Sequence, residues 1–338
     1  MRRAIVTLAA FTMMIMLGGL VGVPAAAESA PTVTAGSTLR ITEAADGKPM
    51  ILEATPDNVQ PMRLSAASRA AASLNIPIHH YNICAGNNTC VENSVLKDRA
   101  KNLVAFFKAT DDPWFISLNE VCRKDFADLS ARTGSAGTMV VSLRQNKNDC
   151  GGDLFGSAIL HPGGVKLDGI AEFLPSRDDE LDCTTDECRA MLCLKLQTYA
   201  GVMTVCTTHL ENESEWAMPQ AAEYLWIATA YAAGQPKVLA GDFNLTPEQL
   251  RDPDAAPAFY TGMRDLVIES SETMPTWTDH DDDPATWPVP ATPRGHIDYI
   301  WVDRRGGSIA KAAYCENEAL ASDHCYTSGS WLYTPPSK

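Results

Sequence analysis

The stretch from Val238 to Gln249 constrains the fold more than any other part of the chain. Val238-Leu239-Ala240 is a short apolar run of the kind that forms a fully buried strand. Gly241 ends it, where the backbone can turn freely. Asp242 and Asn244 then set a carboxylate and an amide two residues apart, on one side of the chain, with Phe243 between them. Thr246-Pro247-Glu248-Gln249 has the form of a helix start: Thr246 as N-cap, Pro247 at the first helical position, Gln249 closing a capping box. Open α/β sheets hold their ligands at such strand ends. A carboxylate and an amide fixed there suit a metal-bound anion such as phosphate. Taken alone, the stretch equally suits an Asp that only organises its turn.

Other strands repeat the pattern. Ile76 to Ile83 alternates and carries Asn82 near its end. Trp114 to Leu118 is apolar and is terminated by Asn119-Glu120. Met191 to Gln197 and Val202 to Thr208 read as a hairpin around Ala200-Gly201, the second strand ending at His209. His296 to Val302 holds Asp298 within an apolar run, and Ser322-Asp323-His324 precedes a last strand around Trp331. Thr138 to Leu143 and Ser157 to Leu160 are further strands. Helices are expected over Asn93 to Thr110, Arg123 to Ala131 and Glu215 to Ala233, the last as core packing. Strands outnumber helices, and hairpins mix with strand–helix–strand units. That combination predicts an α/β fold of packed sheets with helices outside, in one domain over residues 76–338.

The chain of 338 residues begins with Arg2-Arg3, an apolar stretch from Ala4 to Val23, and Pro24-Ala25-Ala26-Ala27. This order reads as a signal peptide over residues 1–27, in preference to a retained membrane anchor. The product is then expected to be secreted, monomeric and free of a membrane anchor. Residues 28–75 are rich in Ala, Thr, Ser and Pro and read as a partly ordered leader, with a strand at Thr38 to Ile41. Ten cysteines, an even count in an exported chain, imply disulfides. Close spacing nominates Cys84–Cys90, Cys183–Cys188 and Cys315–Cys325, with the connectivity open. The formal net charge is −15, and loss of Arg2 and Arg3 would deepen it. So acidic a surface does not attract nucleic acid or anionic lipid over long range. An anionic substrate must be held locally, most simply through divalent cations.

If the strands are neighbours, Asn82, Glu120, His209, Asp242, Asn244, Asp298, Asp323 and His324 converge on one rim. Their oxygens suit a hard cation such as Mg²⁺, Ca²⁺ or Mn²⁺. Hydrolysis of a phosphate ester needs charge neutralisation, an activated water and a protonated leaving group. Histidine suits the last two roles, particularly when a carboxylate orients it. His79 and His80 are adjacent and point to opposite faces of a strand, so both read as structural. Asp279 to Asp283 lacks the spacing of a calcium loop and reads as a solvated acidic loop.

Asn-Ile at 82–83, Asn-Glu at 119–120, Thr-His-Leu at 208–210, Gly-Asp-Phe-Asn at 241–244, Thr-Trp at 276–277, Ile-Asp-Tyr-Ile at 297–300 and Ser-Asp-His at 322–324 occur in one order. In this the chain resembles the endonuclease/exonuclease/phosphatase (DNase I-like) superfamily over residues 76–334. The resemblance implies a four-layer α/β sandwich: two packed central mixed sheets flanked by helices. It implies that Glu120 binds a divalent metal, Mg²⁺ or a similar ion, with Asn82 and Asp323. It makes Asp242 and Asn244 phosphate contacts, His324 the base oriented by Asp298, and His209 a donor to the phosphoryl oxygen or leaving group. Asn119 stands where the family often has Gln, and His296 where it often has Arg, which leaves Arg294 or Arg123 as the basic contact. The implied activity is that of a metal-dependent phosphoesterase acting on phosphodiester bonds, with DNA or RNA as first-choice substrate. Sphingomyelinase or phospholipase C-type action, inositol-phosphate hydrolysis and a non-catalytic binding module are the alternatives. Residues 144–156, 171–190 and 279–295 would select the substrate.

Overall fold

Among the residues described by the computed structural model (37–42, 48–57, 74–83, 115–146, 150–175, 183, 187–198, 201–251, 259–265, 297–304, 307–314, 324 and 327–334), the chain forms two mixed sheets. Residues 1–27, the helix at 93–110, Thr276-Trp277, Asp279 to Asp283, Arg294, His296, Asp323, Cys84, Cys90, Cys315 and Cys325 lie outside them. Residues 35–338 make one unit. No described helix is long and apolar enough to cross a membrane.

The larger sheet runs, edge to edge, β1 (Ser37–Thr42), β2 (Ile51–Pro56), β5 (Ala136–Asn146), β6 (Asp153–His161), β4 (Phe115–Cys122), β3 (Leu74–Asn82), β14 (Thr327–Tyr333) and β13 (Gly307–Tyr314). The smaller runs β11 (Met263–Asp265), β12 (Asp298–Asp303), β10 (Lys237–Asp242), β9 (Gly201–His209), β8 (Ala190–Thr198) and β7 (Lys166–Phe173). β3 and β4 are parallel neighbours, as are β9 and β10. Each parallel pair therefore ends on the same side of its sheet.

The two sheets meet over a core of Ile76, Ile78, Val140 and Ile159 from one and Leu192, Val205, Val238, Ala240 and Ile300 from the other. Helix α1 (Arg123–Thr133) covers the outer face of the larger sheet, with Phe126 and Leu129 against Leu52, Leu118 and Met139. Helix α2 (Ser214–Ala232) covers the smaller, where Ala221, Tyr224 and Ala228 pack with Cys206, Leu239 and Trp301. The layers are helix, sheet, sheet, helix, the DNase I-like sandwich.

Two differences from the sequence reading have physical reasons. The strand expected at Thr38 to Ile41 is β1, but it and residues 51–56 (β2), all assigned to the leader, belong to the larger sheet. Their apolar content is low, but Leu52 and Ala54 are enough to bury one face of β2 beneath α1. Asn119-Glu120 does not end β4. The strand runs on to Cys122 through a register shift between Leu118 and Val121, with Glu120 in the left-handed region at φ 54°. This bulge re-aims the Glu120 side chain.

Of the nominated disulfides, Cys183–Cys188 is present. Cys122–Cys150 ties the start of α1 to the β5–β6 loop, and Cys193–Cys206 links directly opposed residues of β8 and β9.

Candidate active site

The Gly-Asp-Phe-Asn loop is held by what surrounds Phe243. Its ring packs edge-on against Tyr224, Phe259 and Tyr299, with centroids 5.8, 5.4 and 5.2 Å away. Tyr224 donates to Ala240 O at 3.1 Å and Tyr299 to Leu245 O at 2.8 Å. Phe243 facing this cluster leaves Asp242 and Asn244 to face the other way. Gly241 is required by close approach: a Cβ there would lie 2.2 Å from Thr208 O. Helix α3 (Pro247–Arg251) then starts with a complete capping box. Thr246 N donates to Gln249 Oε1 at 2.7 Å, and Gln249 N to Thr246 Oγ1 at 3.4 Å.

Asp242 is 1% exposed, so its carboxylate depends on internal partners. Oδ1 accepts from Asn244 N at 2.9 Å, and Oδ2 accepts from Asn82 Nδ2 at 3.0 Å. Its own N–H donates to Asn119 Oδ1 at 2.8 Å, and Asn119 Nδ2 donates to Ser157 Oγ at 2.7 Å. Asn119 thus pins the end of β10 to the opposite sheet. Asn244 has φ 50° and donates from Nδ2 to Leu210 O at 3.0 Å. Left-handed backbone at both Glu120 and Asn244 costs about 1 kcal/mol or more apiece, and such strain concentrates at functional sites.

Asn82 is the hub. Its Nδ2 lies 2.9 Å from Glu120 Oε1, 3.0 Å from Asp242 Oδ2 and 3.3 Å from His324 Nε2. Two amide hydrogens face three acceptors, so one acceptor is always left for another donor or a cation. His324 Nδ1 donates to Asp298 Oδ2 at 2.8 Å, which turns Nε2 toward Asp242 Oδ2, 3.6 Å away. Burial alone would push the Asp298 carboxyl up. His324 and His80 more than offset it and hold it well below the usual carboxylate range.

His209 Nε2 also lies 3.6 Å from Asp242 Oδ2. Its Nδ1 side faces Glu187 Oε1 at 3.5 Å and Arg189 Nη1 at 3.2 Å. Arg189 is buried and bridges Glu187 at 2.9 Å and Glu211 at 3.2 Å. Burial works against charge on Glu187, but Arg189 and His209 win and hold its carboxyl down at about 2. Burial and Arg189 pull the His209 imidazole down; Glu187 and Asp242 outweigh them and favour its charged form.

The sequence-derived set is therefore largely in one place. Asn82, Glu120, His209, Asp242, Asn244, Asp298 and His324 share the rim where β3, β4, β9 and β10 end. A cation fits there. Burial is the largest influence on Glu120 and pushes its carboxyl up, a penalty that a bound cation would remove. Donor atoms of Asp242, Asp298 and His324 also lie within 4.8 Å of one another. Both Asp298 oxygens already receive imidazole hydrogens, however, so Asp298 is better placed as a histidine partner than as a ligand.

The Endonuclease/Exonuclease/phosphatase family model matches residues 80–324. The chain belongs to that family. Its members hydrolyse phosphate esters, and this protein is a phosphoester hydrolase. Such enzymes generally depend on a divalent metal. Solved structures share the fold at low identity. The human Nocturnin catalytic domain with bound sulfate is 16% identical at a TM-score of 0.59, covering 78% of this chain and 95% of its own. A mannosyl-6-phosphatase of Bacteroides thetaiotaomicron is 15% identical at 0.55, covering 76% and 99%. D. rerio TDP2 with single-strand DNA product is 18% identical at 0.54, covering 76% and 98%. No curated protein sequence matches the chain.

Sequence reasoning missed three neighbours of this site. His80, read as structural, donates to Asp298. Arg189 and Glu187, within the segment 171–190 read as a substrate loop, flank His209. The signal for Arg189 was available: the hairpin sets Thr198 against Gly201 and Met191 against Thr208, which brings Arg189 level with the residues that follow β9. Arg123, a named candidate for the basic contact, instead pairs with Asp153 at 2.8 Å.

Proposed function

We propose that the protein is a secreted, divalent-metal-dependent phosphodiesterase whose first substrate is nucleic acid. The observation that carries the reading is the Asp298–His324 pair, with His324 Nε2 turned onto the carboxylates and amides of Asn82, Glu120 and Asp242. With Nδ1–H committed to Asp298, Nε2 keeps its lone pair and takes the proton of an attacking water. Asp298 then stabilises the imidazolium, as an orienting carboxylate does for any histidine base. Asn244 and Asp242 orient the phosphoryl group. His209, favoured in its charged form, donates to the phosphoryl oxygen or to the departing oxygen. A divalent cation held by Glu120 with Asn82 and Asp323 would neutralise charge on the phosphoryl oxygens.

Charge supports a diester over a monoester. Among the described residues the rim gathers Glu120, Asp242, Asp298, Glu187 and Glu211 against Arg189 and His209. Such a rim tolerates a singly charged diester better than a doubly charged monoester. Arg189 is the cation best placed to offset the phosphate. TDP2 holding a DNA product on the same fold supports a nucleic-acid substrate, and the signal-like residues 1–27 support export.

The test incubates the chain from Glu28 onward with plasmid DNA, RNA, sphingomyelin vesicles and inositol phosphates, with Mg²⁺ or Ca²⁺ and again with EDTA. Plasmid nicking that EDTA abolishes is expected. Lipid or inositol-phosphate turnover without cleavage of DNA or RNA would transfer the assignment to those substrates. Cleavage that survives EDTA would remove the metal from the mechanism. N-terminal sequencing of the exported product should begin at Glu28, and a monomer is expected on sizing.

A further inference from the structure

His80 is fully buried at the centre of the sandwich, and nothing in the reaction as described above uses it. It sits on β3 directly opposite Ser117 on β4. Its Nε2 lies 2.9 Å from Asp298 Oδ1, on β12 of the other sheet. Its Nδ1 lies 2.9 Å from Ser117 Oγ, and Ser117 Oγ lies 2.6 Å from Thr207 Oγ1 on β9, again in the other sheet. The chain Thr207–Ser117–His80–Asp298–His324 therefore crosses between the sheets twice and ends at the base.

We infer that His80 is the positioning residue for the Asp298–His324 pair, acting through Asp298 and never on the substrate. A carboxylate bonded at one oxygen only can swing about its Cα–Cβ and Cβ–Cγ bonds and present either oxygen to His324. Asp298 is bonded at both: Oδ1 by His80, Oδ2 by His324. Its plane is thereby fixed, and so is the direction in which His324 presents Nε2. His80 is fixed in turn. In the neutral imidazole, Nε2–H donates to Asp298, so Nδ1 accepts from the Ser117 hydroxyl and Ser117 accepts from Thr207. The arrangement also keeps Asp298 on its histidines, although its donor atoms lie within 4.8 Å of those of Asp242 and His324. Partners of this kind, one bond removed from a reacting group, contribute about 10–100-fold when removed from metal–histidine sites.

The inference rests on the base assignment made above, and the test separates the two. Wild type, His80→Met, His80→Gln, Asp298→Ala and the His80→Met/Asp298→Ala double variant are assayed on bis(p-nitrophenyl) phosphate with Mg²⁺, each with its thermal midpoint. Methionine fills the space without a donor. Glutamine restores an N–H near the position of Nε2. His80→Met should lower kcat about 10–100-fold with KM within about twofold. His80→Gln should recover most of that loss. In the Asp298→Ala background the methionine should cost nothing further, because the partner through which His80 acts is gone. A kcat within threefold of wild type for His80→Met overturns the inference. So does a loss in the double variant as large as in the single, or a loss that follows the thermal midpoint and is not rescued by glutamine. Near-normal turnover in Asp298→Ala overturns the base assignment itself.

Discussion

At one end of the sheets, His80 and His324 share the carboxylate of Asp298. At the other end, His161 closes β6 opposite Ala136; it is as deeply buried as His80, but it has no carboxylate partner of this kind. His161 Nδ1 donates to Pro162 O at 2.9 Å, and Nε2 has no hydrogen-bond partner among the described residues. Burial pushes its imidazole down to about 4. The nearby acid and base at that end, Glu53 and Lys166, are half-buried and paired with each other across the sheets. His79, next to His80 but on the opposite face of β3, is also pushed down to about 4 by burial. Burial pushes these two imidazoles down, whereas His80 and His324 face a carboxylate held well below its usual range. What separates the two ends is the partner across the sheet interface.

The largest test of this contrast is His324→Ala. Loss of the base should cut kcat by about 10²–10⁴-fold, the range typical of a positioned proton acceptor. Its side chain stands at the rim and not within the core, so the thermal midpoint should move by only a few degrees. Steady-state kinetics alongside a melting curve decides it. Turnover within tenfold of wild type would mean that the Asp298–His324 pair is no more catalytic than His161.

Much of the catalytic end was legible because its parts are local. Thr246 and Gln249 form a box three residues apart, and Asp242 and Asn244 share a side by strand alternation. What was not legible depends on contacts between distant segments. Alternation puts His79 and His80 on opposite faces but does not say that Asp298 lies across the interface from one of them. A bulge depends on the register of two neighbouring strands, so the sequence could not show that Glu120 sits inside β4. β2 escapes the sequence pattern because two apolar residues, Leu52 and Ala54, suffice when a helix covers them. Arg189 differs: the hairpin register alone places it beside the residues that follow β9.

A second test uses pH. His79 and His161 are held at about 4 when folded against an ordinary 6.5. Below 6.5 the unfolded chain takes up protons that the folded chain refuses, so stability is full above 6.5 and falls as pH drops toward 4. Each group contributes up to about 3 kcal/mol over that window. Glu187, held at about 2, loses its own contribution only at lower pH. Urea unfolding at pH 7.5 and 4.5 should show the fall, and His161→Gln should reduce it by roughly half. His161→Gln should leave kcat at pH 7.5 within twofold. An unchanged fall in that variant would mean that His161 is not held neutral and that the two ends differ less than their geometry implies.

The smallest expected effect belongs to Lys166 and Glu53. Their pair joins β7 of one sheet to β2 of the other. Both side chains keep contact with solvent, so water already satisfies much of their charge, and such pairs contribute about 0–1 kcal/mol. Lys166→Met should therefore lower stability by less than about 1 kcal/mol, and by less still in high salt. It should leave kcat and KM unchanged. The result would be informative because the pair crosses between the same two sheets as His80 and Asp298. If joining the sheets were what mattered at the catalytic end, loosening them at the far end would also slow turnover. A Lys166→Met enzyme with normal kcat, set beside a slowed His80→Met enzyme, would locate the effect in the orientation of one carboxylate and not in the docking of the sheets. A substantial fall in kcat for Lys166→Met would reverse that conclusion.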